Sequence, residues 1–141
     1  MDGSERAAAA LRFAAEEAVA LDEELTVVNA WSPVNLWVPG MMPDDSFFDR
    51  IAAASRELVE RELIPVRAAH PGLRVRVVVD QGFPAAVLSR EAMHASELVV
   101  GSRGLHGIAE LMLGSVSHEL VVDPPCPLIV LPASITAAVP V

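Results

Sequence analysis

Gly101, Gly104, Gly114 and Ser115 are the residues of this chain whose types and spacing most clearly suit a chemical task, in the stretch GSRGLHGIAELMLGS. A short apolar run, Leu98-Val99-Val100, leads into it, and an amphipathic helical pattern leads out. Strand, glycine turn and helix in that order present backbone N–H groups and a helix N-terminus to an anion, usually a phosphate. Glycine at 101 and 104 would allow left-handed backbone angles and let a ligand come close to bare main chain. Gly114-Ser115 is expected to place a second small residue and a hydroxyl inside the exit helix. A purely structural reading stands beside this one: a tight βα turn, close helix packing at Gly114, and a Ser115 hydroxyl bonded back to its own turn.

Little else in the chain suggests chemistry. His70, His94, His106 and His118 are scattered without ligand spacing, which argues against a histidine metal site. There is no Gly-x-Ser-x-Gly elbow, no Cys–His pair and no carboxylate pair tied to a pocket, so catalysis is not expected beyond slow, incidental nucleotide turnover. All ten cations are arginine, which removes the lysine that a Walker A loop requires. The net charge of −9, without an arginine stripe, argues against nucleic-acid binding. It does not forbid a phosphate held by backbone dipoles and a divalent cation. Cys126 is the single cysteine, so no disulfide framework or CxxC pair exists, and a small buried hydrophobe is expected there. The first residues do not read as a signal peptide, and the uncharged C-terminal run, from Pro124 to Val141, holds five prolines. A membrane helix is not expected, and the cytoplasm is the expected location.

At 141 residues the chain suits one domain. Its periodicity predicts alternating helices and strands. A helix capped by Ser4 runs to about Leu21, and a strand covers Glu24 to Trp31. Residues 32–45 read as a proline-rich loop that is unusually apolar at Trp37, Met41 and Met42. Packing on the body, covering a ligand and meeting a partner all remain open for it. A helix from about Ser46 is expected to end or kink at Pro65. Leu73 to Asp80 follows as a strand, with Val77-Val78-Val79 buried on both faces. A helix then opens at Pro84 and runs to about Ser96, with Met93 inward. Leu98 to Val100 is the strand before the glycine turn, the exit helix spans about Gly107 to Val122, and Leu128 to Leu131 is the last strand. Such alternation argues for an α/β fold, a single-domain doubly wound parallel sheet, with ligands beyond the carboxyl ends of its strands. Residues 1–132 form the expected domain and 133–141 a loosely ordered tail.

The spacing Gly-x2-Gly-x9-Gly-Ser, flanked by Val100 and Val116, resembles the nucleotide-binding signature of the universal stress protein family in its ATP-binding form. Asp2-Gly3-Ser4, Gly82-Phe83-Pro84-Ala85 and Cys126-Pro127-Leu128-Ile129-Val130 are similar to further segments of that family. The resemblance covers about residues 2 to 132. It implies that Asp2 and Ala30 line the adenine and ribose end. It also implies that Gly101, Gly104, Gly114, Ser115 and Val116 wrap ribose and phosphates, with Arg103 beside them and Mg2+ or Mn2+ at the phosphates. Ser115 matches a hydroxyl that some members phosphorylate. The last strand, Leu128, Ile129, Val130 and Leu131, would pair with its own copy in a homodimer, as an apolar edge strand invites.

One departure matters. The family carries an apolar strand of about five or six residues ahead of the Asp-Gly-Ser segment, and here only Met1 precedes Asp2. Losing three or four buried apolar side chains would cost on the order of 5–10 kcal/mol. A start further upstream is the preferred explanation, with the tail around Ile135 to Val141, or a strand donated by a partner, as alternatives. Asn29 stands where the family usually has a histidine. The leading expectation is an ATP-binding stress-response module that signals through dimerisation or partner binding. The alternatives are a nucleotide-free dimerisation module and a slow ATPase or autokinase acting through Ser115.

Overall fold

The computed structural model describes residues 1–36, 38–102 and 113–132. Helix α1 spans Glu5–Leu21, and Ser4 begins it as expected: its backbone is extended and its Oγ accepts a hydrogen bond from the Ala7 amide at 3.1 Å. Asp22, left-handed at φ 55°, closes the helix. Strand β1, Leu25–Trp31, then pairs in parallel with β2, Val75–Gln81, in a register from Leu25 opposite Val75 to Trp31 opposite Gln81. Strand β3, Leu98–Gly101, pairs in parallel with β4, Leu128–Leu131. Helices α2 (Asp45–Ala69), α3 (Pro84–Ala92) and α4 (Ser115–Val122) complete the order.

The core follows from the helical and strand periods. Leu11, Ala15 and Ala18 of α1 meet Leu25 and Val27 of β1 and Val59, Leu63 and Val66 of α2, all buried. Helices α1 and α2 cover that face of β1, while α3 covers the other. The parallel α/β architecture is therefore as expected. The sheet, however, is split: β1-β2 and β3-β4 are two separate two-stranded ladders. Helix α1 lies against both β1 and β3, bridging the space where a strand between them would run.

Several local expectations are corrected. Of the two outcomes expected at Pro65, an end is excluded: helix α2 continues through it to Ala69, and His70 still donates to the Val66 carbonyl at 2.9 Å. Leu63 and Val66, buried on either side of the proline, hold the last turn against the core. That packing outweighs the ~3 kcal/mol cost of an interior proline. Helix α3 ends at Ala92 rather than Ser96, which leaves Met93 63% exposed instead of inward. Val77, Val78 and Val79 are only half-buried, because β2 has a partner on one side alone. In the expected 32–45 loop, Pro33–Leu36 forms a 3-10 turn, and Met42 is 95% exposed and not packed on the body. Trp37 and the tail 133–141 lie outside the described residues.

Candidate functional site

The carboxyl ends of β1 and β3 face the same end of the molecule, and four segments distant in sequence converge there. The first is the turn from Met1 to Ser4. Gly3 has φ +80°, an angle that favours glycine, and a Cβ on it would sit 3.1 Å from Leu58 Cδ1. Asp2, exposed, accepts from the Ser4 amide at 3.0 Å through its Oδ1, so its carboxylate helps to shape the start of α1. The second is Ala30, near the end of β1 opposite Asp80. The third is Gly101-Ser102 at the end of β3, and the fourth is Gly114-Ser115-Val116 at the start of α4.

Asp2, Ala30, Gly101, Gly114, Ser115 and Val116 all line one cavity of about 1530 Å³. These are six of the eight residues expected to form the site. Arg103 and Gly104 lie outside the described residues, as do Ile108, Leu111 and Met112 of the predicted exit-helix face.

Two glycine roles are corrected. Gly101 does not take a left-handed angle. It is small because α1 presses on it: a Cβ there would meet Arg6 Cβ at 3.0 Å and the Arg6 carbonyl oxygen at 3.3 Å. Gly114 is not inside the exit helix but is its N-cap, in an extended conformation at φ −70°, ψ 169°. The helix begins at Ser115, so Leu113 and Gly114 are not helical. This favours anion binding more than the expected arrangement would. A glycine cap has no side chain to occupy the first amides, and the first intrahelical bond is His118 N to Gly114 O at 2.9 Å. The N–H groups of Ser115, Val116 and Ser117 therefore have no partner within the helix and lie at its positive end.

Sequence reasoning missed two supports. Ser117 is buried, and its Oγ donates to the Ser102 carbonyl at 2.8 Å. The same carbonyl accepts the Gly114 amide at 2.7 Å. These two hydrogen bonds to one oxygen tie the end of β3 to the start of α4. The pattern Ser-x-Ser at 115–117 held the signal, but only burial separates the structural hydroxyl from the exposed one at Ser115. Arg6 is the other, a cation in the first turn of α1 beside Gly101. At the far side of the fold, burial and the nearby Glu97 carboxylate push the Cys126 thiol above its ordinary value, consistent with an unreactive residue. Among the described residues no His, Cys, Asp and Glu side chains group to hold a metal ion. None of the described helices is long and apolar enough to cross a membrane.

Comparison with known proteins agrees with this fold. The profile of the universal stress protein family matches residues 1–132. A universal stress protein of Thermus aquaticus is 32% identical over 133 residues, covering 91% of each chain. Universal stress protein UspA from Lactobacillus plantarum superposes with a TM-score of 0.72 at 19% identity, over 93% of this chain and 92% of that one. A universal stress protein solved in complex with cAMP superposes with a TM-score of 0.57 at 22% identity, over 93% and 91%. With the family profile spanning nearly all of its length and a curated relative above 30% identity, this chain belongs to the universal stress protein family.

Proposed function

We propose that the cavity binds an adenine nucleotide, ATP in the first instance, and that the protein is a stress-response module read out through its assembly state or a partner. One observation carries this reading: Asp2, Ala30, Gly101, Gly114, Ser115 and Val116 come from four separate segments and line the same cavity. Asp2 and Ala30 are proposed to take the base and ribose, as the resemblance to the family implies. The amides of Ser115, Val116 and Ser117 point the positive end of α4 at the place suited to phosphates. Arg103 and Gly104 are proposed to join them. The similarity to a protein solved with cAMP supports an adenine ligand.

Asp2 is the only carboxylate among the proposed site residues, so the protein supplies too few donors to hold a bare cation. Mg2+ suits such a site, because it keeps most of its waters and binds mainly through phosphate oxygens; Mn2+ would bind in the same way. Bound there, the metal would neutralise phosphate charge. Dimerisation is proposed through Leu128, Ile129, Val130 and Leu131 of β4, which pairs with β3 on one edge and with no other described strand on the other.

The test is the nucleotide content of protein purified without added ligand, read by acid release and chromatography, with Gly114→Ile as control. Stoichiometric adenine nucleotide that the control loses is the expected result. Folded, empty protein whose melting temperature Mg-ATP leaves unchanged would refute the proposal. That outcome would leave the second reading, a nucleotide-free dimerisation module.

A further inference from the structure

The segment between β1 and α2 is apolar at its stems and at its tip, and only the stems are packed. The Trp31 ring that ends β1 stacks on Phe48 near the start of α2, with centroids 6.0 Å apart and planes 21° from parallel. Phe47 meets Phe48 edge-on at 5.7 Å. The tip is shaped by backbone turns. Pro33–Leu36 forms a 3-10 turn, and the Met41 amide donates to the Val38 carbonyl at 3.0 Å past Gly40, which is left-handed at φ +85°. Yet Val34, Val38, Met41 and Met42 are between 45% and 95% exposed. Large apolar side chains grouped on one exposed segment mark an interaction surface. Methionine suits such a surface, being flexible and polarisable enough to fit apolar shapes of several kinds.

The charges beside this tip select its occupant. No charge occurs from Leu25 to Pro43, and the next charged residues are Asp44, Asp45 and Asp49, all exposed, followed by the one cation Arg50. Asp44 Oδ1 accepts from the Ser46 hydroxyl at 2.7 Å and the Phe47 amide at 2.9 Å. These bonds, the Ser46 one foremost, hold its carboxyl below the ordinary range, so it is ionised at neutral pH. Its Oδ2 meets no donor among the described residues. An anionic lipid surface would be repelled by this border. A second copy meeting the same patch would bring the same aspartates, and residues 133–141 carry no cation to answer them. Strand addition is also disfavoured: Pro33, Pro39 and Pro43 have no amide to donate, and the Met41 amide is spent in its turn. The occupant must therefore satisfy its own backbone, as a helix does.

We propose that residues 33–49 are the docking surface for a basic amphipathic helix of a partner protein. Apolar residues of that helix at i, i+3 and i+4 would cover Val34, Val38, Met41 and Met42, and its lysines or arginines would meet Asp44, Asp45 and Asp49. This gives the read-out partner of the proposed function a chemical class. It rests on the surface itself and not on nucleotide binding, so it stands even if the cavity is empty.

The probe is a labelled synthetic peptide, two repeats of Lys-Leu-Lys-Lys-Leu-Leu-Lys, added to the protein as purified. Label fluorescence and amide hydrogen exchange are followed. Saturable binding is expected, with slower exchange at Val38, Gly40, Met41 and Met42 and an affinity that falls as salt rises. Met41→Ser combined with Met42→Ser should weaken binding about tenfold and leave the melting temperature unchanged, since both side chains are exposed. Asp45→Asn combined with Asp49→Asn should slow association and flatten its salt dependence. The same peptide with glutamate for lysine, or with its leucines spread around the helix, should not bind. Equal binding by the double-serine variant or by either control peptide overturns the proposal, as does no binding at all. Three other outcomes overturn it by naming a different occupant. Self-association lost in the double-serine variant would assign the surface to a second copy. Adsorption to phosphatidylglycerol vesicles lost in that variant would assign it to a membrane. Exchange at these amides slowed by Mg-ATP alone would make the segment a cover for the nucleotide.

Discussion

Replacing Gly101 with alanine tests whether that glycine is required by packing or by a ligand. The added Cβ would lie 3.0 Å from Arg6 Cβ, 3.3 Å from the Arg6 carbonyl oxygen and 3.4 Å from its carbonyl carbon. Carbon atoms pack best at about 3.5–4.0 Å, so the first turn of α1 or the end of β3 must move by about 0.5 Å. Neither moves freely. The contacting Arg6 atoms are backbone and Cβ, not a flexible tip, and Ser4 caps the turn that carries them. Overpacking of this kind costs about 1–3 kcal/mol. Restricting the unfolded chain by Gly→Ala returns ~0.4–1 kcal/mol, and there is no left-handed angle to strain. The net expectation for Gly101→Ala is a loss of about 1–2 kcal/mol. At ~2–4 °C per kcal/mol for a chain near this size, the melting temperature should fall by roughly 2–8 °C. Thermal and urea unfolding of nucleotide-free protein measure it directly. An unchanged or raised melting temperature would refute the packing argument. Loss of bound nucleotide without destabilisation would return Gly101 to the role the sequence first suggested, clearance for a ligand.

Three other outcomes follow from the same structure. Glu97 is held above its ordinary 4.5 by burial, then by the Glu17 and Glu23 carboxylates, so its charged form is disfavoured in the fold. The folded state binds that proton more tightly than the unfolded state, so stability is lost as pH rises from 4.5 through the elevated value. Glu97→Gln should therefore raise the melting temperature at pH 7, with the gain fading below about pH 4.5; equal gains at both would contradict the assignment. Pro65→Ala should stabilise by about 1–2 kcal/mol, the ~3 kcal/mol helix penalty of proline less its unfolded-state advantage and whatever strain α2 already relieves; a lower denaturation midpoint would contradict this. Ser115→Ala should leave stability within about 0.5 kcal/mol, since Ser115 is exposed. Any phosphate incorporated from ATP should vanish in that variant, and if incorporation persists Ser115 is not the acceptor.

The sequence by itself determined a large part of this protein. Ser4 as N-cap, the β-branched runs that became β1 and β2, Pro84 opening α3 and the apolar β4 are all set by local backbone preference and hydrophobic period, which neighbours in sequence suffice to fix. The parallel α/β arrangement followed from their alternation. Of the six expected site residues that line the cavity, Gly101, Gly114 and Ser115 were legible as small residues in a strand–turn–helix pattern, whereas Asp2, Ala30 and Val116 rested on the resemblance to the universal stress protein family. Tertiary structure decided what depends on contacts between distant segments. Gly101 is small because Arg6 presses on it, and no spacing near residue 101 records that. Helix α2 survives Pro65 because the core holds Leu63 and Val66. Ser117, not Ser115, became the buried tie to Ser102, since burial sorts two equivalent hydroxyls. Only the fold showed that the four strands pair as two separate ladders, β1 with β2 and β3 with β4, with α1 lying against both β1 and β3.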